Sequence, residues 1–214
     1  MKKLFVVALS VVLLSACKNN LQTGLPYFND PDFTPVWFAK NNLALQKLHT
    51  IPPFALTDQN GRTITNKTTR GKIYVANFFF TRCGNICPKM TENMHQVADF
   101  FKNDSTVMFI SHSVTSEYDN ARVLKKYAAD KNIDNPNWHL LTGSQEKIYM
   151  LARSGYFADA ATKSAIAGRF LHSENFILVD QRGHIRGVYN GTINMEVNNL
   201  IKHIKLLKAE ARPF

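Results

Sequence analysis

Cysteine is scarce in this sequence, with three residues in 214. A chain of that length buries a full core without covalent staples. A disulfide-framed mini-domain is therefore excluded, and each cysteine needs its own explanation. Long apolar runs are scarcer still: past residue 14 no segment approaches the ~18 apolar residues that a membrane-spanning helix needs. Acidic residues are also in short supply, 16 Asp and Glu against 26 Lys and Arg, for a net charge of +10. That excess is not organised into an arginine stripe or an aromatic-basic RNA-binding pattern. Nucleic acid is thus not an expected partner, and the lysines read as a solvated surface able to drift toward anionic headgroups or an acidic partner face. Internal repeats and low-complexity tracts are absent as well, so the expectation is one ordinary domain with an appendage.

The appendage is at the N-terminus. Met1-Lys2-Lys3 is a short positive region, and Leu4 to Leu14 is an apolar run of signal-peptide size, about eleven residues. Leu14-Ser15-Ala16-Cys17 then resembles the lipobox of bacterial lipoproteins. The resemblance implies removal of residues 1–16 and lipidation of Cys17. The product would be a lipoprotein on the extracytoplasmic face of a cell membrane, held by lipid chains and not by a spanning helix. Only Cys83 and Cys87 then remain as thiols, in an oxidising compartment. A close pair there is a disulfide, a redox couple or a metal site.

Residues 17–50 read as a tether and lead-in. Pro26, Pro31 and Pro35 break regular structure, while Phe28, Phe33, Trp37 and Phe38 are too apolar for a free linker and predict a stretch lying on the domain or on a partner. The domain itself is expected over residues 51–210. Phe54–Thr57 and Arg62–Ile64, around Asn60-Gly61, predict a hairpin. Ile73 to Phe80 is a β-branched and aromatic run suited to a strand buried on both faces. A helix follows near Cys87-Pro88, with Met90, Met94, Val97, Ala98 and Phe101 at helical spacing. Further strands are predicted at Val107–Ser111, Trp138–Leu141, Phe176–Val179 and Ile185–Tyr189, and helices at 120–132, 144–154 and 195–208. Residues 156–169 have weak periodicity and read as a loop or lid. Strands alternating with helices give an α/β sheet covered on both sides, and the closing hairpin and helix are the thioredoxin arrangement. In such sheets sites gather at the carboxyl ends of parallel strands, and Cys83 lies just past one.

Spacing narrows the chemistry. Redox thioredoxins place two residues between their cysteines; Cys83-Gly84-Asn85-Ile86-Cys87 places three. Residues i and i+4 of a helix have Cβ atoms ~5–6 Å apart, far enough to share one ion and close enough for a disulfide after small adjustment. A helix N-terminus favours thiolates, the metal-binding form. Two soft sulfurs are too few for an iron–sulfur cluster or a structural zinc, whereas copper accepts two or three ligands. A third ligand has seven histidines to choose from. His95 lies eight residues beyond Cys87, ~12 Å along the helix. His184 sits in a turn and is expected to be solvated, His203 on the surface, and His49 and His139 have no positional argument. His112, ending the second long strand, and His172, in a loop before a strand, remain level on this reading.

Phe79-Phe80-Thr81-x-Cys83-x-x-x-Cys87-Pro88 after a buried strand resembles the Sco/SenC family of copper-binding, thioredoxin-like proteins that help assemble the copper centre of cytochrome c oxidase. The likeness runs from about Ile51 to Ile204. It includes Lys125-Lys126-Tyr127-Ala128, Asn137-Trp138-His139-Leu140-Leu141-Thr142-Gly143, and His172 ahead of Phe176-Ile177-Leu178-Val179-Asp180-Gln181-Arg182-Gly183. It implies copper(I)/copper(II) as the bound ion and Cys83, Cys87 and His172 as its ligands. It also implies the copper-bearing subunit of cytochrome c oxidase, or a similar cuproenzyme, as the partner. The chain departs from the family at Ser113-Val114-Thr115-Ser116, where Ser-Val-Asp-Pro is frequent, and at Leu171, where an acidic residue often precedes the histidine. The alternative is a thiol–disulfide reductase that uses Cys83 and Cys87 to keep a target's cysteines reduced, without need of His172. The Pro-x-x-x-Thr-x-x-Cys pattern of peroxiredoxins is absent.

Overall fold

The computed structural model describes residues 24–39, 42–158 and 173–210. The proposed signal segment, the Cys17 lipidation site, His172 and most of the expected 156–169 loop lie outside the described residues. In chain order the described elements are β1 (Tyr27–Phe28), β2 (Pro35–Val36), a 3₁₀ turn (Leu43–Lys47), β3 (Ala55–Asp58), β4 (Thr63–Thr65) and α1 (Asn66–Thr69). They continue with β5 (Ile73–Phe79), α2 (Ile86–Phe100), β6 (Val107–Ser113), α3 (Ala121–Asp130), β7 (Trp138–Thr142) and α4 (Gln145–Met150). A π-turn (Leu151–Gly155), β8 (Asn175–Val179), β9 (Ile185–Asn190) and α5 (Asn194–Glu210) complete the order. Among the described residues the strands form one sheet in the order β2-β1-β9-β8-β5-β6-β7-β3-β4. β5, β6 and β7 run parallel, and β8 joins β5 antiparallel. This is the thioredoxin-like mixed sheet, with the predicted N-terminal hairpin at its far edge against β7.

The chemistry of each segment explains its place. Every residue of β5, β6 and β7 is buried, as strands covered on both faces must be. Side chains then alternate between two cores. Val75, Phe79, Met90, Met94, Val97, Phe109 and Leu200 pack on the α2 and α5 side. Tyr74, Ala76, Phe78, Ile110, Leu151 and Tyr156 pack on the other. The Asn60-Gly61 turn forms as expected, with Gly61 at φ 77° and the Asp58 carboxylate accepting from the N–H groups of Asn60 and Arg62. Asn120 caps α3 through its side chain, as Ser144 caps α4.

Several expectations need correction. The predicted 144–154 helix ends as an α-helix at Met150 and finishes in the π-turn, where Ala158 N–H bonds back to Ala152. Ala121 is half-buried, not inward. The stretch after residue 24 does lie on the domain, but as two short strands extending the sheet beyond β9. Arg186 of β9 fastens it: its guanidinium donates to the carbonyls of Leu25 (2.7 Å) and Pro26 (2.9 Å), pairs with Glu210 (3.0 Å) and Asp180 (3.3 Å), and covers the Tyr27 ring at 3.9 Å. His184, expected in solvent, is buried in the same cluster, its Nδ1 3.3 Å from Asp180 and its ring edge-on to Tyr27. His203 is only partly exposed and pairs with the Tyr189 hydroxyl at 2.7 Å. No helix among the described residues is long and apolar enough to cross a membrane.

Candidate metal centre

The carboxyl end of β5 delivers Cys83, and the first turn of α2 delivers Cys87. Cys83 is half-buried and Cys87 is 4% exposed; both are free thiols. The N-terminus of α2 has no side-chain cap, because Asn85 makes no capping bond. Beside that open end, the backbone N–H groups of Asn85, Ile86 and Cys87 favour the ionised form of Cys83. Burial works against the Cys83 thiolate, but the Cys87 S–H and these three backbone donors outweigh it and hold the Cys83 thiol below its ordinary range. Cys87 goes the other way. Burial, then the sulfur of Cys83, push it up to about 12, and the Phe80 backbone only partly offsets them. The pair is therefore asymmetric: the half-buried Cys83 thiol is lowered and the buried Cys87 thiol is raised.

The surrounding loops are tied down on the α2 side. Asp119, fully buried, accepts from Thr81 N–H (3.1 Å), Thr81 Oγ1 (2.5 Å), Ser113 Oγ (2.6 Å) and Thr115 Oγ1 (2.9 Å). Position 115, a departure from the family pattern, thus supplies a hydroxyl donor. Arg82 lies over the exposed Tyr118 ring at 4.5 Å. Tyr127 packs on Phe79 and shares a 3.0 Å hydrogen bond with Thr91, close enough that Cys87, Cys83 and Asp119 add to the burial that raises its phenol. Nothing in the sequence patterns singled out Asp119. Its signal was the hydroxyl series Ser113, Thr115, Ser116 just ahead of it, facing Thr81.

The histidine question is answered in part. His112 sits on β6 in register with Phe78, not with Phe79, so its ring enters the core opposite α2. It stacks on Phe78 at 5.0 Å, between Phe54 and Tyr156, fully buried, and neither ring nitrogen has a hydrogen-bond partner of ordinary geometry among the described residues. Burial lowers its pKa to about 4, with the Asn77 backbone opposing weakly. It is not on the cysteine face. The other described histidines are engaged elsewhere: His95 with the Lys131 carbonyl, His49 with the Gly155 carbonyl and His139 with Asp58. Among the described residues no trio of His, Cys, Asp and Glu is arranged to hold a metal ion. The cysteines are brought together; His172 lies outside the described residues.

Comparison with known proteins decides the family. The SCO1/SenC family model matches residues 43–208. The chain belongs to the SCO1/SenC family. It is 32% identical over 157 residues to the SCO1 protein homolog of Bacillus subtilis, covering 72% of this chain and 81% of that one. Of the mitochondrial and rickettsial relatives it matches next, it spans roughly a third to a half. Among solved structures it resembles a SCO1/SenC family lipoprotein from Bacillus anthracis (TM-score 0.66, 30% identity, 80% of this chain and 99% of that one). It also resembles BsSco, described as a Sco-family cytochrome c oxidase assembly protein with a disulfide switch (0.65, 31%, 75% and 94%). A third likeness is to Arabidopsis thaliana ScoI with copper bound (0.57, 26%, 72% and 97%).

Proposed function

We propose that this SCO1/SenC protein is a copper metallochaperone. Cys83, Cys87 and His172 would bind copper and pass it to the copper centre of cytochrome c oxidase or a related extracytoplasmic cuproenzyme. A lipid on Cys17 would hold the chain at the outer face of a cell membrane. The observation that carries the reading is the thiol pair itself: two free, neighbouring sulfurs at an uncapped helix end, with the Cys83 thiol lowered by Cys87 and the helix-end backbone. Soft sulfur pairs suit copper(I), and an imidazole adds the harder donor that copper(II) prefers. Copper bound to Arabidopsis ScoI, the membership of BsSco among cytochrome c oxidase assembly proteins and the lipoprotein from Bacillus anthracis support the ion, the destination and the anchor in turn. Transfer would proceed by ligand exchange, a target's thiolates replacing Cys83 and Cys87 one at a time.

The test is an anaerobic, then aerobic, copper titration of the reduced chain beside Cys83→Ser and His172→Ala. One tightly bound copper is expected, with a sulfur-to-copper(II) charge-transfer band that both variants lose. Weak binding, or a His172→Ala variant indistinguishable from the parent, would remove the three-ligand site. A second reading has its own support. An accessible, acidified Cys83 beside a buried Cys87 pushed up to about 12 is the asymmetry of an attacking and a resolving thiol. In that reading the chain keeps its target's cysteines reduced, and the same titration would find copper weak while disulfide exchange proceeds.

A further inference from the structure

The ladder between β5 and β6 ends at Phe79 opposite Ser113, with one more bond from Val114 N–H to the Phe79 carbonyl. Beyond it the chain must leave the sheet, turn through Gly84 and Asn85, and set Cys83 just ahead of the uncapped N-terminus of α2. The turn is exposed at Arg82, Gly84 and Asn85. Its first firm hold past the ladder is Thr81, whose N–H and hydroxyl both end on Asp119. The other oxygen contacts of Asp119 come from Ser113 and Thr115 at the end of β6. One carboxylate thus bolts the cysteine turn to the neighbouring strand with four donors, in a site closed to water.

Charge alone does not explain a carboxylate here. It lies near enough to the thiols for Tyr127 to feel all three groups, and a negative charge there opposes a thiolate. What it supplies is geometry: charge-assisted hydrogen bonds are short and strong, and donors aimed at an anion must be held within a few tenths of an ångström to be effective. We infer that Asp119 is a positioning residue for Cys83, acting through Thr81 to hold the turn that carries Cys83 to the uncapped N-terminus of α2. The inference rests on Cys83 and Cys87 being the working thiols, but not on copper.

The experiment therefore uses no copper. In the full-length chain, the pH profile of Cys83 alkylation by iodoacetamide and the midpoint potential of the Cys83–Cys87 couple are measured for Thr81→Val, Thr81→Ser, Asp119→Asn and the parent. Thr81→Val and Asp119→Asn are each expected to slow alkylation at pH 7 about tenfold. A matching tenfold loss of stabilisation of the reduced form would make the potential about 30 mV more negative. Thr81→Ser, which restores the hydroxyl, should return both to the parent value. Should Asp119→Asn fail to fold, the two Thr81 variants carry the comparison alone. Two results would overturn the inference. One is faster alkylation in Asp119→Asn with Thr81→Val unchanged, which makes Asp119 a repelling charge only. The other is a drop in melting temperature with profile and potential unmoved, which makes the network purely structural. If copper fails to bind the parent while these shifts appear, the metallochaperone reading falls and the positioning role stands.

Discussion

Ser113 and His112 are neighbours on β6, yet the strand's alternation sends them into opposite worlds. Ser113 faces α2 and gives its hydroxyl to Asp119, a buried carboxylate with four donors. His112 faces the other core, where Phe54, Phe78 and Tyr156 surround it and neither nitrogen has a hydrogen-bond partner of ordinary geometry among the described residues. Both polar groups are fully closed to water. The difference teaches that burial alone does not decide what a polar group does: partners do. Asp119 with its donors holds a loop. His112 without them is driven neutral and serves as an aromatic filler.

The largest break in that comparison is Asp119→Ala. It strands the donors of Thr81, Ser113 and Thr115 and should cost at least ~3 kcal/mol in urea unfolding; a loss under ~1 kcal/mol would mean water or a shift of the loops replaces them. His112 gives nearly as large an effect, but in pH. Its folded pKa is lowered to about 4, below the ordinary value near 6.5, so the unfolded chain takes up the proton first. The associated stability is intact above pH 6.5, falls as pH drops toward 4 and levels off below, by roughly 3 kcal/mol in total. His112→Leu should be at least as stable as the parent at pH 7 and lack that fall. An unchanged acid profile in His112→Leu would show that the imidazole finds a partner.

Copper affinity is the next test. Cys87 must lose a proton that is held up to about 12, so copper(I) binding should strengthen at least tenfold per pH unit between pH 6 and 8, with measurable proton release. A flat profile would show that Cys87 binds as a thiol or not at all. The smallest effect is expected from Thr115→Asp, which restores the residue type frequent in the family. It sets a second carboxylate against Asp119 in place of a donor, and should lower stability in urea unfolding by about 1 kcal/mol; a variant as stable as the parent would show that the loop moves to separate the two carboxylates.

The sheet was largely legible because near-continuous β-branched and aromatic runs such as Ile73–Phe79, and helices with a capping residue such as Asn120 ahead of Ala121–Asp130, carry their own signals. The cysteine turn was legible through spacing and helix-end chemistry. What escaped depends on three-dimensional encounter. The Arg186 cluster gathers Leu25, Pro26, Tyr27, Asp180 and Glu210 from distant parts of the chain, so His184 looked like a solvated turn residue. Asp119 was silent for the same reason, since its meaning lies in Thr81, 38 positions away. The side of β6 on which His112 falls could have been read from alternation with Cys83's strand, but only once the β5–β6 register was known.

The central claim is that copper sits between Cys83 and Cys87 with His172, on the α2 face, and that His112 takes no part. X-ray absorption at the copper edge of the copper(II)-loaded chain tests it directly, beside His112→Phe and His172→Ala. Two sulfur ligands are expected in all three proteins, with imidazole scattering present in the parent and His112→Phe and lost in His172→Ala. Imidazole scattering lost in His112→Phe, or retained in His172→Ala, would contradict the account.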